Sequence, residues 1–163
     1  MNYKPAAVPS APPSMSHNGH ESPLTHDEWK LWRRFLTTHT AIVRRLESEL
    51  HAQTGLTLST FEALHELARA PGNELRMAEL AENLSLTRSG VTRLVDRLER
   101  QDYVVRRECA DDGRGTYARL TANGSEAFLA AADMHLQDVQ KLFFDRLDGV
   151  EDLLWRLLRQ LEP

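Results

Sequence analysis

Apolar residues recur at three- and four-residue steps in several stretches of the chain, which is the period of amphipathic helices. The predicted helices cover residues 25–51, 59–70, 77–84, 87–101 and 122–146, and a last helix runs from about residue 148 to residue 161. Two short runs rich in β-branched and aromatic residues, 103–107 and 116–120, flank a segment of glycines and aspartates that favours a turn. The pattern therefore predicts a mainly α-helical protein with one small β-hairpin.

Two of the predicted helices begin with the signature of a capping box, a threonine or serine followed three residues later by glutamate. Thr25 and Glu28 form the first pair, and Ser59 and Glu62 form the second. Asp148 with Glu151 is expected to cap the last helix in the same way. Such a pair satisfies backbone N–H groups that are left without partners at a helix start. We therefore expect the first helix to begin near residue 25 and the second near residue 59.

The first 24 residues differ in composition from the rest of the chain. They contain five of the seven prolines and few large apolar side chains, so they cannot contribute much to a packed core. We expect residues 1–24 to form a disordered, proline-rich tail. The remaining residues, 25–163, have the length and hydrophobic content of a single domain.

Composition excludes several classes of protein. A single cysteine, Cys109, argues against a disulfide-stabilised fold, and no apolar run approaches the roughly 20 residues of a membrane span. We therefore expect a cytoplasmic protein without a membrane partner. The chain lacks a glycine-rich phosphate loop and a G-x-S-x-G motif, and its seven histidines form no i, i+4 pair typical of a helical zinc site. We predict no enzyme activity, no cofactor and no metal site.

The helix predicted over residues 87–101 has two chemically different sides. Its apolar stripe consists of Val91, Leu94, Val95 and Leu98, and its opposite side consists of Ser89, Thr92, Arg93, Asp96, Arg97 and Arg100. By itself this is typical of any solvated amphipathic helix. A short helix and a tight turn precede it, however, and an arginine-flanked hairpin follows it, which is the order of a winged helix-turn-helix.

Local charge supports nucleic-acid binding despite the acidic total. The whole chain has a net charge of −4, but residues 88–107 contain six arginines and three acidic residues, a net charge of +3. Arginine is suited to contacts with phosphates and guanine edges. The acidic total therefore does not exclude a DNA-binding segment.

The stretch over residues 75–124 resembles the DNA-binding core of the MarR family of winged-helix transcription regulators. The matching pieces are SGVTRLVDRLE at residues 89–99, Asp112-Gly-Arg114 in the wing, and Leu120-Thr121 with Gly124. One departure is Gln101-Asp102-Tyr103, where many members have a glycine before the first wing strand. The order of helices before and after also agrees, so the resemblance covers about residues 25–162.

The resemblance implies a homodimer that binds a pseudo-palindromic operator and acts as a ligand-responsive repressor. It implies that residues 25–52 and 122–163 form the dimerisation helices and that residues 56–121 form the DNA-binding lobe. The long helix would enter the major groove, while Arg114, held by Asp112, would enter the minor groove. The predicted DNA contacts are Arg88, Ser89, Thr92, Arg93, Arg97, Arg106, Arg107, Asp112 and Arg114.

The mode of regulation is less constrained. The resemblance implies a cleft between the dimerisation helices and the winged lobe that binds a small phenolic or anionic effector. The candidate ligand residues are Trp29, Trp32, Arg33, His39, His51 and His65. The tryptophans are equally explained as packing residues. Cys109 follows Arg106-Arg107, which would favour its thiolate, so a redox switch competes with a passive surface thiol. A winged helix used only as a protein-interaction adaptor is the alternative function.

Overall fold

A computed structural model of the protein describes residues 23–108 and 115–161. The predicted tail therefore lies outside the described residues, apart from Pro23 and Leu24. The chain divides into two compact units, of which the first ends at Arg45 and the second begins at Leu46. None of the helices in the described part of the chain has the length and hydrophobicity that a membrane span requires.

The first unit contains the beginning of α1 (His26–Thr54). The predicted capping box is confirmed: the backbone N–H of Thr25 donates to Glu28 Oε2 at 2.7 Å, and that of Glu28 donates to Thr25 Oγ1 at 3.3 Å. The backbone N–H and the hydroxyl of Thr25 both donate to Glu28 Oε2 at 2.7 Å, and they hold the pKa of the Glu28 carboxyl below its usual value. The helix continues to Thr54, three residues beyond its predicted end.

The second unit contains the end of α1, five further helices and a small sheet. In chain order these are α2 (Leu58–Arg69), a 3-10 turn (Pro71–Asn73), β1 (Glu74–Arg76), α3 (Met77–Asn83), α4 (Arg88–Arg100), β2 (Val104–Glu108), β3 (Thr116–Leu120), α5 (Ala122–Leu142), a second 3-10 turn (Phe144–Arg146) and α6 (Glu151–Leu161). The predicted winged helix-turn-helix, mainly α-helical with a β-hairpin, is confirmed.

The predicted capping box at Ser59 is wrong, because α2 begins earlier than its sequence suggests. Thr57 is the N-cap residue, and its Oγ1 accepts from the backbone N–H of Thr60 at 3.2 Å. The backbone N–H of Leu58 donates to Glu47 Oε2 at 2.7 Å. A carboxylate from α1 thus satisfies a free amide that a local capping box would otherwise serve.

The sheet has a third strand that the sequence pattern did not predict. β3 pairs antiparallel with β2 on one side and with β1 on the other, giving the order β1-β3-β2. β1 has only three residues, too few for an alternating pattern to be recognised. Its pairing with β3 ties the start of α3 to the hairpin.

The core of the winged lobe is formed by α2, α3, α4 and the sheet. Its buried members include the predicted apolar stripe of α4. They are Ala63, Leu64, Leu67, Leu80, Ala81, Val91, Leu94, Val95, Leu98, Val104, Ala118 and Leu120. A second cluster comprises Leu50, Leu56, Phe61 and Ala131, and it packs the end of α1 and the middle of α5 against α2.

The C-terminal helices are much less buried. α5 ends at Leu142, four residues before its predicted end, and a 3-10 turn follows it. Only Gly124 and Ala131 are buried in α5, and no residue of α6 (Glu151–Leu161) is buried. The exposed large apolar side chains of these helices are Leu129, Leu136, Leu153, Trp155, Leu157, Leu158 and Leu161.

Candidate nucleic-acid interface

The turn between α3 and α4 brings the two helices close together. Ser85 adopts a left-handed φ of 51°, and the backbone N–H of Leu86 donates to Ala81 O at 2.8 Å, which closes the end of α3. Thr87 caps α4, accepting from the backbone N–H of Gly90 at 3.1 Å. Gly90 is buried, and a Cβ at this position would lie 3.2 Å from Thr87 Oγ1. This geometry is that of a helix-turn-helix.

Four of the predicted contact residues are exposed around the first half of α4. Arg88, Ser89, Thr92 and Arg93 are exposed, so their polar groups are accessible to a ligand. Thr92 Oγ1 donates to Arg88 O at 2.8 Å, and Ser89 Oγ lies 3.2 Å from Thr87 Oγ1. Both hydroxyls keep accepting capacity, and the arginines can donate to phosphates or base edges.

Arg97 has a different environment from Arg93. It is half-buried, and its Nη2 donates to Ser59 Oγ at the start of α2, at 3.2 Å. Its Nε is buried and has no hydrogen-bond partner among the described residues. The structure therefore directs Arg97 toward α2, although the helical wheel placed it on the outer side of α4.

The two arginines of β2 form ion pairs within the lobe. Arg106 contacts both Asp96 and Glu99 of α4, with its Nη2 2.7 Å from Asp96 Oδ1. Arg107 Nη1 lies 3.3 Å from Glu74 Oε2 in β1. Two of the six arginines counted over residues 88–107 are thus paired with carboxylates, of which Glu74 lies outside the counted segment.

A cleft of about 600 Å³ lies between the start of α3, α4 and the sheet. Arg76 and Arg88 line it, and Arg76 Nε donates to the hydroxyl of Tyr117 at 3.0 Å. The guanidinium carbon of Arg76 also lies 5.4 Å from the centre of the Tyr117 ring, within the range of a cation–π contact. Arg76 was not predicted as part of a site, because neither β1 nor its pairing with β3, the strand of Tyr117, was predicted.

Three predicted functional residues lie outside the described residues. They are Asp112 and Arg114, expected in the wing, and Cys109, the candidate redox thiol. The strands that precede and follow this segment, β2 and β3, are paired from Val104 with Leu120 to Glu108 with Thr116. Both strands of the predicted hairpin are therefore present and paired with each other.

The predicted ligand residues occupy several positions along α1 and α2. Trp32 and His39 lie on either side of Phe35, with ring centres 5.7 Å and 6.4 Å from it, and Trp32 is 48% exposed. Trp29 and Arg33 are half-buried in the same part of α1. His51 is exposed in the last turn of α1, and His65 belongs to α2.

His65 is part of an aromatic cluster that the sequence analysis did not predict. Phe61 lies between His65 and His135, with its ring centre 4.5 Å from that of His135, and Phe128 contacts both Phe61 and His65. His135 Nδ1 is buried without a hydrogen-bond partner among the described residues. Burial, aided by the nearby His65, lowers the pKa of His135, although Asp138 opposes the shift.

The same side of α2 carries a carboxylate whose protonation is also altered. Glu62 is exposed as a residue, but partial burial of its carboxyl raises its pKa, and the nearby charges of Glu47 and Glu66 act in the same direction. Within residues 23–108 and 115–161, no group of three His, Cys, Asp or Glu side chains could hold a metal ion.

Comparison with known proteins identifies the family. A MarR family sequence model matches residues 54–115. A MarR family transcriptional regulator from Streptomyces coelicolor, solved in complex with DNA, is 31% identical, covers 90% of this chain and 94% of its own, and superposes with a TM-score of 0.78. The chain belongs to the MarR family. AbsC, a second MarR family regulator from Streptomyces coelicolor, is also 31% identical, with a TM-score of 0.79 over 86% of this chain and 93% of its own.

Curated relatives of this MarR family protein have the same general function. An HTH-type transcriptional repressor from Mycobacterium tuberculosis is 35% identical over 99 residues, which is 57% of this chain and 70% of the relative. An uncharacterized HTH-type transcriptional regulator from Bacillus cereus is 28% identical over 132 residues, or 80% and 86% of the two chains. The predicted family and the general function of a transcriptional regulator are confirmed.

Proposed function

We propose that this MarR family protein binds a pseudo-palindromic DNA operator as a homodimer and represses transcription until a small ligand releases it. The observation that carries the proposal is the exposed first half of α4, where Ser89, Thr92 and Arg93 follow a helix-turn-helix turn. Side chains at the start of a recognition helix are those that reach base edges in the major groove. Two relatives with this fold were solved with DNA, the Streptomyces coelicolor regulator and a MarR mutant from Escherichia coli bound to operator DNA.

Charge around α4 supports a DNA contact of limited size. Arg88 and Arg93 are exposed, and neither makes a side-chain hydrogen bond or ion pair with another described residue. A small number of phosphate contacts gives a modest affinity per lobe that is sensitive to salt. Two lobes acting together on one duplex would raise that affinity by roughly 10²–10⁴.

The exposed apolar side chains of α6 support a homodimer. Trp155 is 64% exposed and Leu161 is 74% exposed, on a helix without a buried residue. Contiguous apolar surface of this kind is typical of an interface between protein chains. We assign the C-terminal helices to the dimerisation region, as the family resemblance implies, and a two-fold dimer would present its two recognition helices to symmetric half-sites.

Repression and ligand response are inferred from different features. The Mycobacterium tuberculosis relative is named as a repressor. The exposed stack of Trp32, Phe35 and His39 offers aromatic surface and one titratable group to a phenolic or anionic compound. A thermal-shift screen of phenolic acids, urate and antibiotics would test this part of the proposal, since a bound ligand raises the melting temperature. Loss of the shift in Trp32→Ala would support a site at the stack.

Selection of bound duplexes from a random-sequence library tests operator recognition. We expect the full-length chain to enrich a pseudo-palindrome whose half-site centres are about one helical turn apart, roughly 10 base pairs. Failure to enrich any sequence, together with salt-independent binding to another protein, would instead support an adaptor.

Arg114 is proposed as the wing contact in the minor groove. An arginine at this place is attracted by the enhanced negative potential of a narrow minor groove. Arg114→Ala is expected to weaken binding across sequences and to reduce the slope of log affinity against log salt by about one unit per lost phosphate contact. An unchanged slope would contradict this assignment.

A further inference from the structure

Arg106 joins β2 to one side of the recognition helix through several contacts. Its Nη2 lies 2.7 Å from Asp96 Oδ1 and donates to Thr92 O at 3.1 Å, while its Nη1 pairs with Glu99 Oε2. The backbone N–H of Arg106 also donates to Glu99 Oε1 at 3.0 Å. The three partners on α4 are spaced by four and three residues, so they lie on one side of the helix.

These contacts leave Arg106 poorly placed to bind phosphate. Its side chain is 29% exposed, and a single cation faces two carboxylates, so the group as a whole is negative. A DNA phosphate would have to displace acceptors that already form charge-assisted hydrogen bonds. Arg93, in contrast, is exposed on the same helix.

Arg106 lies in a strand of the hairpin, and its side-chain partners lie on α4, so its contacts join the hairpin to α4. α4 is the recognition helix, and β2 leads directly into residues 109–114, which include Arg114. β2 is paired with β3 along its whole length. The contacts between Arg106 and α4 therefore fix the position of both strands relative to α4. The distance between recognition helix and wing must match the distance between neighbouring grooves for both to bind.

We propose that Arg106 is a positioning residue that fixes the wing to the recognition helix, and that it does not contact DNA. This proposal rests on the proposed DNA-binding function. It revises the expectation from the sequence, in which Arg106 was one of the predicted DNA contacts. Arg106 and Arg93 thus have different proposed roles, because Arg93 is still proposed to contact DNA directly.

The salt dependence of binding distinguishes a positioning residue from a phosphate contact. Arg106→Ala is expected to weaken binding of the full-length chain to its selected duplex by about tenfold, comparable to the loss of one charge-assisted hydrogen bond. The slope of log affinity against log salt should stay at the wild-type value. Arg93→Ala, the matched control on α4, should lower that slope by about 0.9 per lost phosphate contact.

A charge exchange provides a second test that a DNA contact at position 106 cannot pass. Arg106→Glu alone should abolish measurable binding, because it places three carboxylates together. Arg106→Glu combined with Glu99→Arg restores one cation between two carboxylates and should recover affinity to within about threefold of wild type. A glutamate at position 106 cannot bind phosphate, so recovery would support the positioning role.

The outcomes separate this proposal from the function on which it rests. A drop of about 0.9 in the salt slope of Arg106→Ala, with the wild type binding normally, would overturn the positioning role alone. Failure of the exchanged pair to bind better than Arg106→Glu would also overturn it. If Arg106→Ala does not fold by circular dichroism, Arg106→Gln and the exchanged pair give the same comparison. A wild-type chain that binds no duplex would overturn the proposed function, and this proposal with it.

Discussion

In the winged lobe Leu64, Leu67 and Leu98 are fully buried, whereas on α6 Leu157 and Leu161 are 47% and 74% exposed. Both regions belong to the same compact unit and both are rich in leucine. The lobe covers its own apolar side chains with α2, α3, α4 and the sheet. The C-terminal helices leave most of their leucine side chains exposed. Full burial of a leucine side chain would stabilise the folded state by about 1.5–3 kcal/mol.

The difference indicates two separate roles within one chain. A lobe with a complete core can present a rigid recognition helix without help from a partner. Helices with an uncovered apolar side gain stability only when another surface covers them.

The junction between the lobe and α5 is the point most sensitive to substitution. Gly124 is the third residue after the N-cap Thr121, and a Cβ at this position would lie 2.2 Å from the carbonyl oxygen of Tyr103. Gly124→Ala is therefore expected to lower the free energy of unfolding by about 3 kcal/mol. Chemical denaturation measures this loss.

Gly90→Ala is the matched control for Gly124→Ala. Gly90 is also the third residue after a capping threonine, but its nearest neighbour is a side-chain oxygen at 3.2 Å, which can move. We expect a loss of about 1 kcal/mol at Gly90. Equal losses at the two positions would contradict the close approach of α5 to the Tyr103 carbonyl.

Charging α6 should separate the two regions functionally. Leu157→Glu combined with Leu161→Glu is expected to dissociate the homodimer and to weaken operator binding about a hundredfold, because the two lobes no longer act together. Sedimentation and a mobility-shift titration measure the two effects. Gln160→Glu, also exposed on α6, should leave both unchanged. A dimer that survives the double substitution would rule out this surface as the interface.

Arg93→Ala tests the exposed side of α4 without altering the core. Loss of one charge-assisted phosphate or base contact should weaken operator binding by about tenfold. The unfolding free energy should stay within about 0.5 kcal/mol of wild type, as for other surface substitutions. Arg107 was also a predicted DNA contact, but its guanidinium pairs with Glu74 at the surface, so Arg107→Ala should change affinity much less. A larger loss of affinity in Arg107→Ala than in Arg93→Ala would place the DNA contact on β2.

The cluster between α2 and α5 predicts a pH dependence of stability with two opposing parts. In the folded chain the pKa of His135 lies below its ordinary value of 6.5. The folded chain therefore binds a proton at His135 less tightly than the unfolded chain does. Stability therefore falls as pH drops below about 6.5, toward the lowered pKa. Glu62 has the opposite effect: its pKa is raised above 4.5, so its contribution falls as pH rises from 4.5 through the raised pKa.

Substitution separates the two parts. His135→Gln should remove the loss of stability below about pH 6.5, and Glu62→Gln should remove the loss above 4.5. Each effect should be a few degrees in melting temperature or less, since a change of 1 kcal/mol moves the melting temperature of a domain this size by about 2–4 °C. If the melting temperatures of wild type and His135→Gln change with pH in the same way between about pH 5 and 7, the assignment to His135 is contradicted.

The helices were predictable because their period reflects burial within each segment. Val91, Leu94, Val95 and Leu98 formed one stripe on the helical wheel, and all four are buried. Asp102 illustrates a local rule that the fold overrides: it adopts the left-handed φ of 57° expected of glycine, while its side chain accepts from Asn123 Nδ2 at 2.7 Å. The departure from the family pattern leaves the fold intact.

The functional side chains were less predictable because their partners lie in other elements. Residue type and charge made Arg106 a predicted DNA contact, but the position of β2 beside α4 pairs it with Asp96 and Glu99. In the same way, Thr57 caps α2 where Ser59 was predicted, and Glu47 from α1 completes the start of that helix. Such choices depend on packing between elements, which periodicity does not report.

The most direct test of the account is a titration of the full-length chain against its selected duplex at several salt concentrations, with stoichiometry measured by sedimentation. The account predicts two chains per duplex and a log affinity that falls linearly with log salt. One chain per duplex, or an affinity independent of salt, would contradict it.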